Sequence, residues 1–312
     1  MTHIDLKSFA PKKRVIVVGA AVLDVVVRVP NLPLPGDDIP ATQEYRGVGG
    51  CGANVVRALR RLDVPALAAL PCGSGPLSQE LLHRLKTLGL TSAFQRKEGD
   101  IGWSMALVEP NGQRSFVSVG GVEEHWNREE LDALDIADND LLYLSGYEIA
   151  CPTGQVLVDW FSSLPHTVTL VFDPGPRIRD IPQDRLEALL RPNTIITVNR
   201  EEASFLCVAP TPQAFKGYLD RFNIDGVLRL DEQGAFTITR DAPITQCPPF
   251  EVQVVDTVGA GDGHTAGLLA GLSSGWNLAD ATVLGNAVAG VVVTKAGGQG
   301  APDLDELNRF LS

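Results

Sequence analysis

From Leu141 to Leu230 this chain alternates short apolar, β-branched runs with stretches of helical periodicity, and few folds accommodate that rhythm. The runs are 141–144, 167–172, 194–198 and 226–230, and the helical stretches are about 153–163, 183–190, 201–207 and 213–222. Strands separated by helices at this spacing predict an α/β fold, doubly wound, with a mostly parallel sheet, right-handed crossovers and helices on both faces. The unbroken run Arg14–Gly19 predicts a further buried strand. Open sheets of this kind bind ligands beyond the carboxyl ends of their strands. Four polar residues fall there on this reading: Asp24 just past the first strand, Asn199 and Asp231 after the runs at 194–198 and 226–230, and Asp262 after a run at 251–255.

Two other regions predict a small second sheet. Residues 25–46 alternate weakly and carry Pro30, Pro33, Pro35 and Pro40, a pattern of short edge strands. Ile101–Val108 and Arg114–Val119 flank Pro110-Asn-Gly112, a hairpin signal. The domain is therefore expected to run from 14 to 312, with lid strands inserted at about 25–46 and 101–120 over the substrate site. Trp103 in that lid is either packing or a platform for a ring.

Composition narrows the classes of function. A net charge of −12 opposes a nucleic-acid or anionic-membrane surface, and no uncharged stretch approaches membrane-spanning length. The five cysteines (Cys51, Cys72, Cys151, Cys207, Cys247) are scattered without C-x-x-C spacing, as expected of reduced thiols in a cytoplasmic protein.

Chemistry concentrates in Val254–Asp262, where a β-branched run ends at Asp256, small residues follow, and an Ala/Gly-rich helix begins. Backbone amides of Gly259, Ala260 and Gly261 at a helix N-terminus suit a phosphate. A carboxylate inside such a nest repels the anion, and makes sense if Asp262 takes a proton from a hydroxyl attacking that phosphate. The bland alternative is an N-capped helix with a flexible start. A second Gly-rich stretch, Gly47–Leu62, satisfies G-x-G-x-x-G, but Ala41–Arg46 before it is no buried strand and no acid ends a second strand about 20 residues on, so dinucleotide binding fails on context. Asn199 and Glu202, at i and i+3, share a helix face that could serve a hydrated Mg²⁺, or could be an N-cap with its capping-box acid.

Asp256-Thr-Val-Gly-Ala-Gly-Asp262 resembles the C-terminal signature of the ribokinase-like (PfkB) carbohydrate kinases, and Gly49-Gly-Cys-Gly-Ala-Asn54 resembles their N-terminal one. Gly19–Asp24, Asn199–Glu202 and Arg229–Gly234 match further family motifs in order, and no G-x-x-x-x-G-K-[ST] occurs. The resemblance implies ATP-dependent phosphorylation of a sugar or nucleoside hydroxyl, with Asp262 as base and the Gly259, Ala260 and Gly261 amides as anion hole. It implies that Asp24, Gly49, Gly50 and Asn54 hold the sugar. It further implies that Asn199, Arg229, Asp231, Gly234, Gly261 and Asn286 face the nucleotide, and that Glu202 holds Mg²⁺ through water. Asp256 and Val258, with the loop Gly297–Gly300, would cage a monovalent cation such as K⁺ through carbonyls. A homodimer through the lid is common among such kinases. Cys51 stands where ribokinases proper carry lysine, and Asp231 where many relatives carry glycine. Specificity is expected in the lid and in Cys51, Glu98, Trp103 and Glu148. A nucleoside kinase, favoured if Trp103 and His264 line a base-sized pocket, and a catalytically silent sugar- or nucleoside-binding regulator remain as alternatives.

Overall fold

The computed structural model describes residues 4, 6–296 and 300–312, so the first three residues of the predicted loop Gly297–Gly300 lie outside the described ones. In chain order the strands are β1 (Val15–Val18), β2 (Val22–Arg28), β3 (Thr42–Gly49), β4 (Ala66–Ala69), β5 (Trp103–Val108) and β6 (Arg114–Val119). They continue as β7 (Leu141–Ser145), β8 (Thr169–Asp173), β9 (Thr194–Asn199), β10 (Asp225–Arg229), β11 (Ala235–Ile238) and β12 (Thr245–Cys247). One sheet has the order β12-β11-β10-β9-β8-β7-β1-β4, parallel from β4 through β10, with β11 and β12 added antiparallel at one edge. The other sheet has the order β3-β2-β5-β6.

Strand residues alternate between faces, and the core divides accordingly. Val15, Val17, Tyr143, Val171, Ile195 and Val227 pack with the helices Cys51–Arg61, Ala260–Ser273 and Leu278–Val293. Ile16, Val18, Leu142, Leu170, Phe172, Ile196 and Leu228 pack on the opposite face with the Gly154–Ser163 helix. The near-continuous apolar runs in the sequence are thus central strands buried on both sides. The same parity fixes the site: Asp173, Asn199 and Arg229 end their strands on the side of Val171, Ile195 and Val227, beneath the Ala260–Ser273 helix.

Two placements differ from the sequence reading. Asp24 is not in a loop past β1; it lies inside β2, an interior strand of the small sheet that pairs with β3 on one side and β5 on the other. The break falls earlier, at Gly19–Ala21, and the β-branched residues around Asp24 carry the strand through it. The run 251–255 is not a strand. Pro248 and Pro249 lack the N–H groups that would continue β12, and Val254 and Val255 are 59% and 62% exposed. The N–H groups of Val255 and Asp256 instead donate to Val293 O, at 2.7 and 3.2 Å, which ties the segment to the end of the Leu278–Val293 helix. Among the described residues no helix is long and apolar enough to cross a membrane.

Candidate active site

The Ala260–Ser273 helix begins at Gly259, whose left-handed backbone (φ 77°, ψ 2°) turns the chain into it. Ala260 N–H donates back to Thr257 O at 3.2 Å, and Gly263 N–H to Gly259 O at 2.8 Å. Asp262 is the third residue of the helix, and its Oδ2 accepts from Asn54 Nδ2 at 2.7 Å. Burial pushes the Asp262 carboxyl up to about 6; nearby Asp173 adds to this, while the Asn54 hydrogen bond, the Cys51 thiol and Arg229 pull it down.

Asn54 comes from the Cys51–Arg61 helix, which starts beside the small sheet at Gly50 (φ 93°). Its Oδ1 accepts from Arg57 Nη2 at 2.9 Å. Asp24 lies against bare backbone at Gly49, where a β-carbon would overlap its carboxylate. Burial raises Asp24 to about 6 against the pull of Arg57. Strand β2, the Cys51–Arg61 helix and the Ala260–Ser273 helix thus bring Asp24, Gly49, Gly50, Asn54 and Asp262 to one place.

Both carboxyls therefore carry a higher pKa in the folded chain than their ordinary 3.8. Their contribution to stability is full below about pH 4 and is lost as pH rises through about 6. Asp24→Asn is accordingly expected to stabilise the ligand-free protein at pH 7 by about 1–2 kcal/mol, with the gain vanishing near pH 4. Thermal melts across that range check this, and a pH-independent difference would overturn it.

Across the cavity, Arg229 lies half-buried between two acids. Its guanidinium lies 3.3 Å from Asp173 Oδ2 and 3.3 Å from Glu202 Oε2. Burial alone would lower the pKa of Arg229, but Asp173 and Glu202 outweigh it and the net shift is upward. Asp173 also accepts from Thr265 Oγ1 at 2.7 Å. Glu202 and Asn199 form a complete capping box, with Asn199 N–H donating to Glu202 Oε2 at 2.8 Å and Glu202 N–H to Asn199 Oδ1 at 2.8 Å. Burial raises the pKa of Glu202 against the pull of Arg229.

Asp231 takes a left-handed backbone (φ 50°), as a glycine would at that point, and Gly234 closes the turn beside Cys247–Pro249. Asn286 Nδ2 donates to Cys247 O and Pro248 O, at 3.0 and 2.9 Å.

Asp256 stands apart from this constellation. Its Oδ2 accepts from Arg114 of β6 at 2.8 Å and its Oδ1 from Val258 N–H at 3.0 Å. Glu148 is a buried capping-box acid whose Oε1 takes Ala20 N–H at 2.9 Å; burial raises it to about 7. Trp103 packs against the core, whereas His264 lines the cavity as a neutral ring, pushed down to about 3 by burial and, secondarily, by Arg229. Sequence reasoning gave no role to Asp173 or Arg57. Asp173 carried a usable signal, since it ends an apolar run as Asn199 does.

Cys51, Asp173, Asn199, Glu202, Arg229 and Asp262 share the lining of one cavity of about 1000 Å³, room for a nucleotide, while Asp24, Gly49, Gly50 and Asn54 are not among its lining residues. Over residues 12–304 the chain matches the pfkB family carbohydrate kinase model, and it belongs to that family. It is 44% identical over 311 residues to the uncharacterized sugar kinase YegV of Escherichia coli (strain K12), covering 98% of this chain and 96% of that one. It is 27% identical over 308 residues to the ATP-dependent ribose-1-phosphate kinase of Halopiger xanaduensis, covering 96% and 98% of the two chains. Its fold is similar to that of the Thermotoga maritima ribokinase crystal structure, with a TM-score of 0.83 at 22% identity over 97% of this chain and 99% of that one. The protein is a sugar kinase of the PfkB family, for which ATP is the co-substrate.

Proposed function

We propose that this kinase moves the γ-phosphate of ATP to a hydroxyl of a sugar, with Asp262 as general base. The observation that carries the reading is the 2.7 Å bond from Asn54 to Asp262, which joins the carboxylate in the first turn of the Ala260–Ser273 helix to the helix that starts beside Asp24 and Gly49. Asp24, Gly49, Gly50 and Asn54 hold the acceptor's hydroxyls. Oδ1 of Asp262 takes the proton from the attacking hydroxyl while its Oδ2 stays anchored to Asn54. The oxygen then bonds to the γ-phosphorus and ADP leaves. Charge growing on the transferred group meets the amides of Gly259 and Gly261 and the positive end of the helix; Ala260 contributes through the same turn, its N–H leaning toward Thr257 O. Asn199, Arg229, Asp231, Gly234 and Asn286 face the nucleotide, Arg229 with its charge already balanced by Asp173 and Glu202. The small sheet acts as a lid that excludes water.

No cluster of three His, Cys, Asp or Glu side chains suited to a metal occurs among the described residues. Asp173, Asn199 and Glu202 are oxygen-bearing side chains at one end of the sheet and would hold a hydrated Mg²⁺. When bound, the ion supplies neutralisation of phosphate charge. Asp256 and Val258 offer backbone carbonyls to K⁺, since the Asp256 carboxylate is committed to Arg114 and Val258 N–H. A homodimer through the small sheet is supported by exposed Phe116, Val117 and Val119 on its edge strand β6, and the sedimentation coefficient checks it.

The deciding test is coupled ADP release with ATP, Mg²⁺ and K⁺ over pentoses, hexoses, ribose 1-phosphate and nucleosides. One sugar turned over far above the ATPase background is the expected result. A nucleoside standing above every sugar would replace the acceptor, and a flat panel with sugar binding retained in thermal shift would remove catalysis from the reading.

A further inference from the structure

Arg57 is 5% exposed, within the helix that carries Asn54, and a guanidinium buried to that degree is costly unless it has work to do. Arg57 bonds Asn54 on its own helix, and the charged or ionisable groups that act on it are Tyr45 on β3, Asp262 on the Ala260–Ser273 helix, Arg61 on its own helix and Asp24 on β2. Arg57 Nη2 donates to Asn54 Oδ1 at 2.9 Å, and Asn54 Nδ2 donates to Asp262 Oδ2 at 2.7 Å. The direction of this chain is fixed by chemistry. A guanidinium can only donate and an ionised carboxylate can only accept, so the amide between them has one favourable orientation.

We propose that Arg57 is a positioning residue for phosphoryl transfer: by holding the Asn54 carbonyl it keeps the amide N–H on Asp262, which locks that carboxylate's rotamer and leaves its other oxygen for the substrate hydroxyl. The inference rests on the reading of Asp262 as base. Without Arg57 the Asn54 amide is released to rotate, and its carbonyl oxygen can face the carboxylate. That arrangement is tolerable only when Asp262 is protonated, so the base is weakened as a proton acceptor at neutral pH and its orientation is lost. The other groups around Asp262 are Cys51, Asp173, Arg229, Tyr143 and Tyr147, and among the described residues it is Arg57 that donates to the Asn54 carbonyl.

The test needs no substrate. Carboxyl ¹³C NMR of aspartate-labelled full-length protein, with Asp262→Asn to assign the signal, gives the titration midpoint of Asp262. Arg57→Met is expected to raise that midpoint by about one pH unit or more, and Arg57→Lys, which can still donate to Asn54 Oδ1, to restore most of it. The same Arg57→Met change in an Asn54→Ala background is expected to move the midpoint by less than about half as much, because the amide it acts through is gone. An unchanged midpoint in folded Arg57→Met overturns the proposal. So does an equal shift in both backgrounds, which would make Arg57 a plain charge. Should Arg57→Met fail to fold, Arg57→Gln takes its place, since its amide ends two bonds short of the Nη2 that reaches Asn54 Oδ1; a midpoint near wild type would then overturn the proposal, and one displaced toward that of Asn54→Ala would support it. Turnover of Asp262→Asn tests the base reading separately, so the two failures are distinguishable.

Discussion

Asp262→Asn is expected to lose about two to four orders of magnitude in kcat, the usual worth of a general base, while the KM for sugar changes little. The amide nearly matches the carboxylate in shape and can still accept from Asn54 Nδ2, so the pocket stays assembled and the missing element is the proton acceptor. The same assignment sets the pH dependence. Asp262 must be ionised to act, and burial holds its carboxyl at about 6, so kcat/KM falls as pH drops through about 6 and is flat above it until another group titrates. Steady-state kinetics from pH 5 to 8 on both proteins measures both effects. Turnover of the asparagine variant within about tenfold of wild type would take Asp262 out of the base role.

Asp24→Ala should act on the other parameter. In the proposed role a half-buried carboxylate accepts from two sugar hydroxyls, each charge-assisted bond contributing about 1.5–3 kcal/mol, so its loss is expected to raise the sugar KM by about a hundredfold or more with a smaller change in kcat. Gly49→Ala should reproduce part of the defect without touching a polar group, because the new β-carbon would overlap the Asp24 carboxylate and displace it. An unchanged KM in Asp24→Ala would refute the substrate role. The apparent gain in stability of Asp24→Asn at pH 7 is the other face of the same arrangement: a charge kept in a desolvated pocket is unfavourable until a ligand satisfies it.

Much of this was legible in the linear chain, for identifiable reasons. The runs around Val15, Leu142, Val171, Ile196 and Val227 are apolar without interruption because both faces of a central parallel strand are covered, and that composition has no other common cause in a chain with helices between the runs. Asn199 could be placed at a strand end because the apolar run stops there, whereas Arg229 fell inside the predicted run 226–230 and the strand ends at it. The hairpin at Pro110-Asn-Gly112 follows from turn chemistry, and Gly112 indeed takes φ 83°. Local sequence misled at 251–255, where Val254 and Val255 lie exposed on an irregular segment because the prolines before them had ended the strand. It misled again at Asp24, which was placed just past the first strand; the residue lies inside the next strand, which tolerates the charge because Gly49 on the neighbouring strand leaves room for the carboxylate. The capping-box alternative at Asn199–Glu202 and the buried engagement of Glu148 with Ala20 were undecidable locally, since each depends on what lies across the fold.

By itself the sequence determined the layer architecture, the family signatures and the helix start at Gly259, because periodicity, burial on both faces and backbone freedom are properties of neighbouring residues. Only the tertiary structure decided that Asn54 meets Asp262 across 208 positions, that Arg57 holds the far end of the same amide, and that Arg229 is shared by Asp173 and Glu202. Those contacts carry the electrostatics of the site, and they arise from the crossing of strands and helices far apart in the chain, where no local pattern records which polar groups will face one another.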